Sequence, residues 1–226
     1  MTFNVERTAR ARGPYKNGLR KRREIVEAAT LVFGQYGYHG GSLKTIADMV
    51  GATPATLVSY FGSKELLLVA VLEHWNLVSS QTQGEQGLGS FRASIPLMSY
   101  HVEHPGLIQL FLTMSTEATQ SDHPARPFIL ERQQLTRQSM VREFRWAIDH
   151  GEIPPMDAEL IDREAVLMIG VLDGVELGWL NDPTLDLVGV VRHHIDTSIA
   201  RWTGSPLEKV REDTDRYLAT KAGSAR

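Results

Sequence analysis

The sequence predicts an all-α protein of about nine helices. Apolar residues recur at three- and four-residue spacing along most of its 226 residues, and no stretch shows the two-residue alternation of a half-buried strand. Gly, Pro and small hydroxyl residues sit where one helix would stop and the next begin. No internal repeat is visible. With 42% hydrophobic residues the chain can bury a real core.

Residues 1–16 are polar, carry Arg7, Arg10, Arg12 and Lys16, and contain a Gly13-Pro14 breaker; they read as a flexible basic arm. The first helix is expected from Asn17 to about Tyr36, with the apolar stripe Ile25, Ala28, Ala29, Val32, Phe33 and Tyr36, ended by Gly37, Gly40 and Gly41. Ser42 then caps a short helix over Leu43, Ile46, Ala47 and Val50. Gly51 breaks it, because glycine adopts the left-handed conformation without a steric cost. Thr53 caps a third helix, and Pro54 takes its first position, where a missing N–H is harmless. Leu57 faces inward; Thr56, Ser59 and Tyr60 face outward. Two short helices joined so tightly form a unit suited to laying its second helix in the major groove of DNA.

Ser63 starts a longer helix through Trp75, and Gln81–Gly89 is a loop. Further helices are expected over Phe91–Glu103, Leu107–Thr119, Phe128–His150, residues 157–181 and residues 185–202, punctuated by His104-Pro105-Gly106, Pro124, Pro127, Gly151 and Asn181-Asp182-Pro183. Residues 205–226 read as a charged tail, in part helical before it frays. The resulting division is a basic arm (1–16), a helix-turn-helix domain (17–64), a helical ligand-binding and dimerisation domain (65–204) and the tail (205–226).

Charge supports the division. The net charge of −3 hides +6 on residues 1–64 and −9 on residues 65–226. A basic front on an acidic remainder is a local nucleic-acid footprint. The chain has no Cys, which excludes disulfide and thiolate chemistry. With no apolar run of the ~20 residues a membrane helix needs, and no apolar N-terminal stretch, a cytoplasmic protein is expected.

The N-terminal stretch resembles the TetR family of transcriptional regulators. The matching features are Arg22-Arg23-Glu24-Ile25, Ala28-Ala29, Phe33, Gly37-Tyr38, Ser42, Ile46-Ala47, Val50-Gly51-Ala52-Thr53, Thr56-Leu57, Tyr60-Phe61, Ser63-Lys64-Glu65 and Leu67. His104-Pro105, Leu110, Glu117-Ala118, Leu172-Asp173-Gly174 and Trp179-Leu180 resemble one common type of the family's variable C-terminal domain. One departure is plain: Val58 stands where the family usually has a Tyr that touches a phosphate, and because it cannot donate a hydrogen bond that role passes to Tyr60, Thr56 and Lys64.

Phosphate contacts are expected from Ser42, Lys44, Thr45, Thr56, Tyr60 and Lys64, and base-edge contacts from Thr53, Pro54, Ala55 and Ser59. Lys44 also reads as a solvated lysine, Thr53 as a simple cap and Tyr60 as interhelical packing. Arg20, Lys21, Arg22 and Arg23 oppose the helix dipole at the start of the first helix, so they either reach DNA or form a solvated, fraying end.

The resemblance implies a ligand-responsive regulator, a repressor by default, that binds a pseudo-palindromic operator as a homodimer and is released by a small, largely apolar inducer. Pairing is expected through Gly170, Gly174 and Gly178, which share one helical stripe, and through Leu187, Val191 and Ile195. The inducer pocket is expected among Trp75, Phe91, Met98, His101, Phe111, Met114, Phe128, Arg132, Met140, Phe144, Met168, Asp173, Glu176 and Trp179. Each apolar member reads equally well as plain core. Asp173 and Glu176 stand out because an unpaired carboxylate in apolar surroundings is expensive; internal partners such as Arg132, Arg137 or His101, and a ligand's polar group, remain open. An activator, an architectural DNA-binding protein and, remotely, an enzyme are the alternatives. The histidines do not form a metal site: adjacent His193 and His194 diverge by about 100° on a helix, and His101-x-x-His104 lacks a third ligand. No cofactor, catalytic residue or membrane contact is expected.

Overall fold

The computed structural model describes residues 12–79 and 85–224, with side chains described for residues 17–74, 85–221 and 223. Among them are eleven helices and no strand: α1 (Arg12–Gly40), α2 (Leu43–Met49), α3 (Pro54–Phe61), α4 (Lys64–Ser79), α5 (Leu88–Arg92), α6 (Ser94–Glu103), α7 (Pro105–Glu117), α8 (Arg126–Asp149), α9 (Ala158–Asn181), α10 (Leu187–Thr203) and α11 (Leu207–Ser224). Two are additions to the nine expected. The segment expected as one helix from Phe91 divides at Ala93 into α5 and α6. The tail forms a regular helix, α11, anchored by Val210 and Thr214, both buried.

Most of the expected basic arm, residues 1–11, lies outside the described residues. The backbone of Arg12–Lys16 is already helical. Gly13-Pro14 therefore does not break the chain: Pro14 falls in the first turn of α1, where no intrahelical N–H bond is lost. The break comes instead at Gly37, with φ 69° and ψ 178°, a conformation open to glycine.

Two apolar cores organise the rest. The first gathers Ile25, Phe33, Ile46, Leu57, Leu67 and Leu72 with Leu110, Met114 and Ile129. It runs from the first three helices straight into α7 and the start of α8, so the core does not stop at residue 64. The second gathers Phe91, Met98, Phe144, Met168, Ile195 and Trp202. α1 and α7 cross closely at Gly34: a Cβ there would lie 3.1 Å from Gly106 O and from Leu110 N. Thr113 Oγ1 adds a hydrogen bond to Gly34 O at 3.3 Å. The front unit is thus packed onto the body, not strung from it. Among the described residues no single helix is long and apolar enough to cross a membrane.

Candidate nucleic-acid interface and effector site

The front unit is held by caps. Ser42 Oγ accepts the Thr45 N–H at 3.0 Å, Thr53 Oγ1 accepts the Thr56 N–H at 3.2 Å, and Ser63 Oγ accepts the Leu66 N–H at 3.2 Å. Such a cap stabilises a helix by about 1 kcal/mol. Gly51 takes φ 60° between α2 and α3. Leu57 and Phe61 are buried, which leaves Thr53, Pro54, Ala55, Val58, Ser59 and Tyr60 exposed along α3. Thr56 is half-buried, and Ser42, Lys44 and Thr45 are exposed beside them on α2. All ten residues expected to meet DNA lie in this unit, and nine lie on the outer side of α2 and α3 or at their caps. Val58, passed over in the sequence because it cannot donate a hydrogen bond, is 43% exposed on the same face. A methyl-bearing side chain there suits apolar contact with thymine.

Lys64 is the exception. Its Nζ lies 4.5 Å from the centroid of the Tyr38 ring, and burial lowers its pKa. Tyr38 Oη donates to Glu65 Oε1 at 2.7 Å. That bond holds the Glu65 carboxyl down at about 2, and burial together with Glu65 raises the Tyr38 phenol. Lys64 is thus part of a built contact as well as a surface cation. The Arg20–Arg23 run also has structural partners. Lys21 Nζ donates to Val50 O at the end of α2 at 2.5 Å, and the Arg22 guanidinium sits 4.9 Å from the Phe61 ring centroid. Arg20 and Arg23 pair with Glu24 and Glu27 one turn on. Because α1 begins at Arg12, the run lies more than two turns into the helix, past the turn where the dipole acts, and it tacks α1 to the reading helices.

In the body, a charged cluster sits where α6, α7, α8 and α9 converge. His101 Nδ1 donates to Glu176 Oε1 at 2.5 Å, and both side chains are under a tenth exposed. Burial, reinforced by Glu176, raises the Asp173 carboxyl to about 6, with Arg132 opposing the rise. Burial lowers the Arg132 guanidinium to about 10, and it lies 5.6 Å from the Phe111 ring centroid. The partners left open in the sequence are therefore His101 for Glu176 and Arg132 for Asp173. Arg137 instead forms a two-bond pair with Asp162 on the surface.

The expected pocket residues do not stay together. Phe111, Met114 and Phe128 belong to the first core; Phe91, Met98, Met140, Phe144, Met168 and Trp179 belong to the second. Phe91 and Phe144 pack on Trp202 with ring centroids 5.0 and 4.7 Å away, so they are core. The side chain of Trp75 lies outside the described residues. An open groove of about 640 Å³ lies elsewhere, lined by Gln134, Arg137, Arg142, Arg145 and Asp162 among others.

The expected pairing surface is corrected in part. Leu187, Val191 and Ile195 are at most 1% exposed inside the chain's own second core, so they cannot face a partner. A helix packed on both sides needs two apolar stripes, and spacing alone does not say which stripe is already covered. Gly170 and Gly174 have nothing within 4 Å of a built Cβ, and Gly178 is exposed with them. Leu160, Leu167 and Leu177 are exposed on α9 at 39%, 58% and 51%. On α10, Val190 and His193 are exposed.

A family model of bacterial regulatory proteins, the tetR family, matches residues 25–71. The repressor NicS of Pseudomonas putida is 32% identical over 103 residues, 42% of this chain and 48% of NicS. The regulator UidR of Escherichia coli is 29% identical over 167 residues, 69% of this chain and 81% of UidR. The front unit of this chain is therefore similar to that of the TetR family. A TetR regulator from Chloroflexus aurantiacus superposes with a TM-score of 0.70 at 21% identity, covering 82% of this chain and 96% of its own. The match to NicS spans about half of that protein's length. The TetR family consists of DNA-binding regulators, not enzymes.

Proposed function

We propose that this chain is a TetR-family regulator, a homodimeric, sequence-specific repressor released from its operator by a small molecule. The exposed α3 face carries the reading: it presents small polar and methyl groups behind capped helix starts, in the basic third of the chain. Lys44, Thr45 and Tyr60, with the helix starts at Ser42 and Thr53, hold phosphates; Lys64 joins them from its seat on Tyr38. Thr53, Pro54, Ala55, Val58 and Ser59 meet base edges. Such short side chains favour apolar and shape readout over bidentate contacts.

Pairing follows from the α9 face. A strip with three exposed leucines and three glycines invites a second helix to close contact, and with α10 it gives a two-fold interface of four helices. Two reading heads then stand about 34–36 Å apart, one turn of DNA. The name of NicS supports repression.

In this reading the ligand site is the cluster of buried His101 and Glu176 with half-buried Asp173 and Arg132. Phe111, whose ring centroid lies 5.6 Å from the Arg132 guanidinium, gives it an apolar side. A ligand there is largely apolar with one polar end.

Titrating the purified protein onto a duplex from its own upstream region, by anisotropy at several salt concentrations, tests the reading. Retention over a scrambled duplex is expected, with affinity falling linearly in log salt. A folded protein that retains neither duplex at low salt overturns it.

A further inference from the structure

The corner between α7 and α8 meets the front unit at the bend of α1. A Cβ on Gly37 would lie 2.1 Å from Glu117 Oε1, so the carboxylate is seated against the backbone of the bend. Its other oxygen accepts the Tyr38 N–H at 2.9 Å, across 79 residues of sequence. His123 Nε2 approaches the same oxygen at 3.2 Å. Because His123 Nδ1 accepts the Ala125 N–H at 3.2 Å, Nε2 is the nitrogen that carries a proton and donates. Two donors, one from the bend and one from the corner, converge on one carboxylate.

Both sides of this contact are themselves tied down. The Tyr38 hydroxyl donates to Glu65 in the first turn of α4, and its ring carries Lys64. The His123 ring is buried against the rings of Tyr38 and His39, with centroids 5.4 and 5.6 Å away. Arg126 Nη1 closes the corner by donating to Ala118 O at 2.7 Å. α8 starts at Arg126 and, less than two turns later, carries Arg132 toward Asp173.

We propose that Glu117 is a positioning residue: it sets the angle of the reading head against the body and passes on any shift of the start of α8. The inference rests on the DNA-binding reading above. A carboxylate merely filling space would not need two donors from different elements on one oxygen. An acceptor that fixes a bend does, since losing it frees Tyr38 N–H and His123 Nε2 together.

The test compares Glu117→Ala, Glu117→Gln and Tyr38→Phe with the native chain, on the upstream duplex and on a scrambled one. An operator needs two heads at a fixed separation, whereas non-specific binding does not. Glu117→Ala is expected to weaken the upstream duplex by about 10-fold, within the range of allosteric couplings, and to leave the scrambled duplex unchanged. Glu117→Gln keeps an acceptor oxygen and is expected to behave as native. Tyr38→Phe keeps the bend but cuts the tie to Glu65, and is expected to fall between them; it carries the test if Glu117→Ala does not fold. Native affinity in Glu117→Ala, parallel loss on both duplexes, or failure of Glu117→Gln alongside Glu117→Ala overturns the assignment. Should the native chain itself retain neither duplex, the DNA reading fails first and the positioning role falls with it.

Discussion

In the reading helices α2 and α3, the buried side chains are Ile46, Ala47, Leu57 and Phe61, and the polar groups stand outside as caps. In the body, buried positions include His101, Glu164, Glu176, Asp196 and Thr214. Glu164 takes two bonds from Arg201 and one from Trp202 Nε1, and Asp196 accepts from Thr214. The front keeps polarity at the surface, where a phosphate lattice can reach it. The body keeps polarity inside, where a low dielectric strengthens each contact and makes each unpaired group costly. A surface in water and an interior that excludes it make opposite demands on the same side-chain types.

The largest break in this contrast is expected from the purely apolar part of the body. Phe144 is fully buried against Phe91 and Trp202. Phe144→Ala should cost about 3–5 kcal/mol in urea unfolding; a loss below about 1 kcal/mol would mean that the second core is not the body's keel.

Next comes the charged interior. Asp173 titrates at about 6 in the fold against an ordinary 3.8. Between those values the folded chain binds more protons than the unfolded one, so this group lowers stability as pH rises from about 4 to 6. Asp173→Asn should therefore raise stability at pH 7–8 by roughly 1–3 kcal/mol and flatten that part of the pH profile. An unchanged profile would show that Asp173 is not a strained carboxylate.

The front unit should respond more gently. Thr53→Ala removes one cap and should cost about 1 kcal/mol by thermal unfolding. The smallest stability effect belongs to Lys44→Ala, within about 0.5 kcal/mol, while the salt slope of DNA binding drops by about one. A slope that stays put would remove Lys44 from the phosphate contacts and leave Lys64 as the stronger candidate.

Legibility in the sequence follows the same divide. The Ser42 and Thr53 caps, the Gly51 turn, Pro54 at N1 and the inward Leu57 were all readable, because each depends on neighbours within four residues. Glu117 was visible only as part of a resemblance, since its partners Tyr38 and His123 lie on other elements. The partners of Asp173 and Glu176 were named as options but could not be chosen, because α6, α8 and α9 meet only in space. Val58 was set aside for lacking a donor, whereas its exposure depends on how α3 docks.

The amino-acid order alone determined that the chain is helical, where its short reading helices start and stop, and that charge divides it into a basic front and an acidic body. Those properties are local: periodicity, caps and composition need no distant partner. Only the tertiary structure decided that Leu187, Val191 and Ile195 are core while the Gly170 and Gly174 stripe is free, that the last eighteen-residue helix is anchored by Val210 and Thr214, and that Glu117 holds the bend at Gly37. Which stripe of a helix is covered, and which carboxylate finds which donor, are set by packing between elements far apart in sequence.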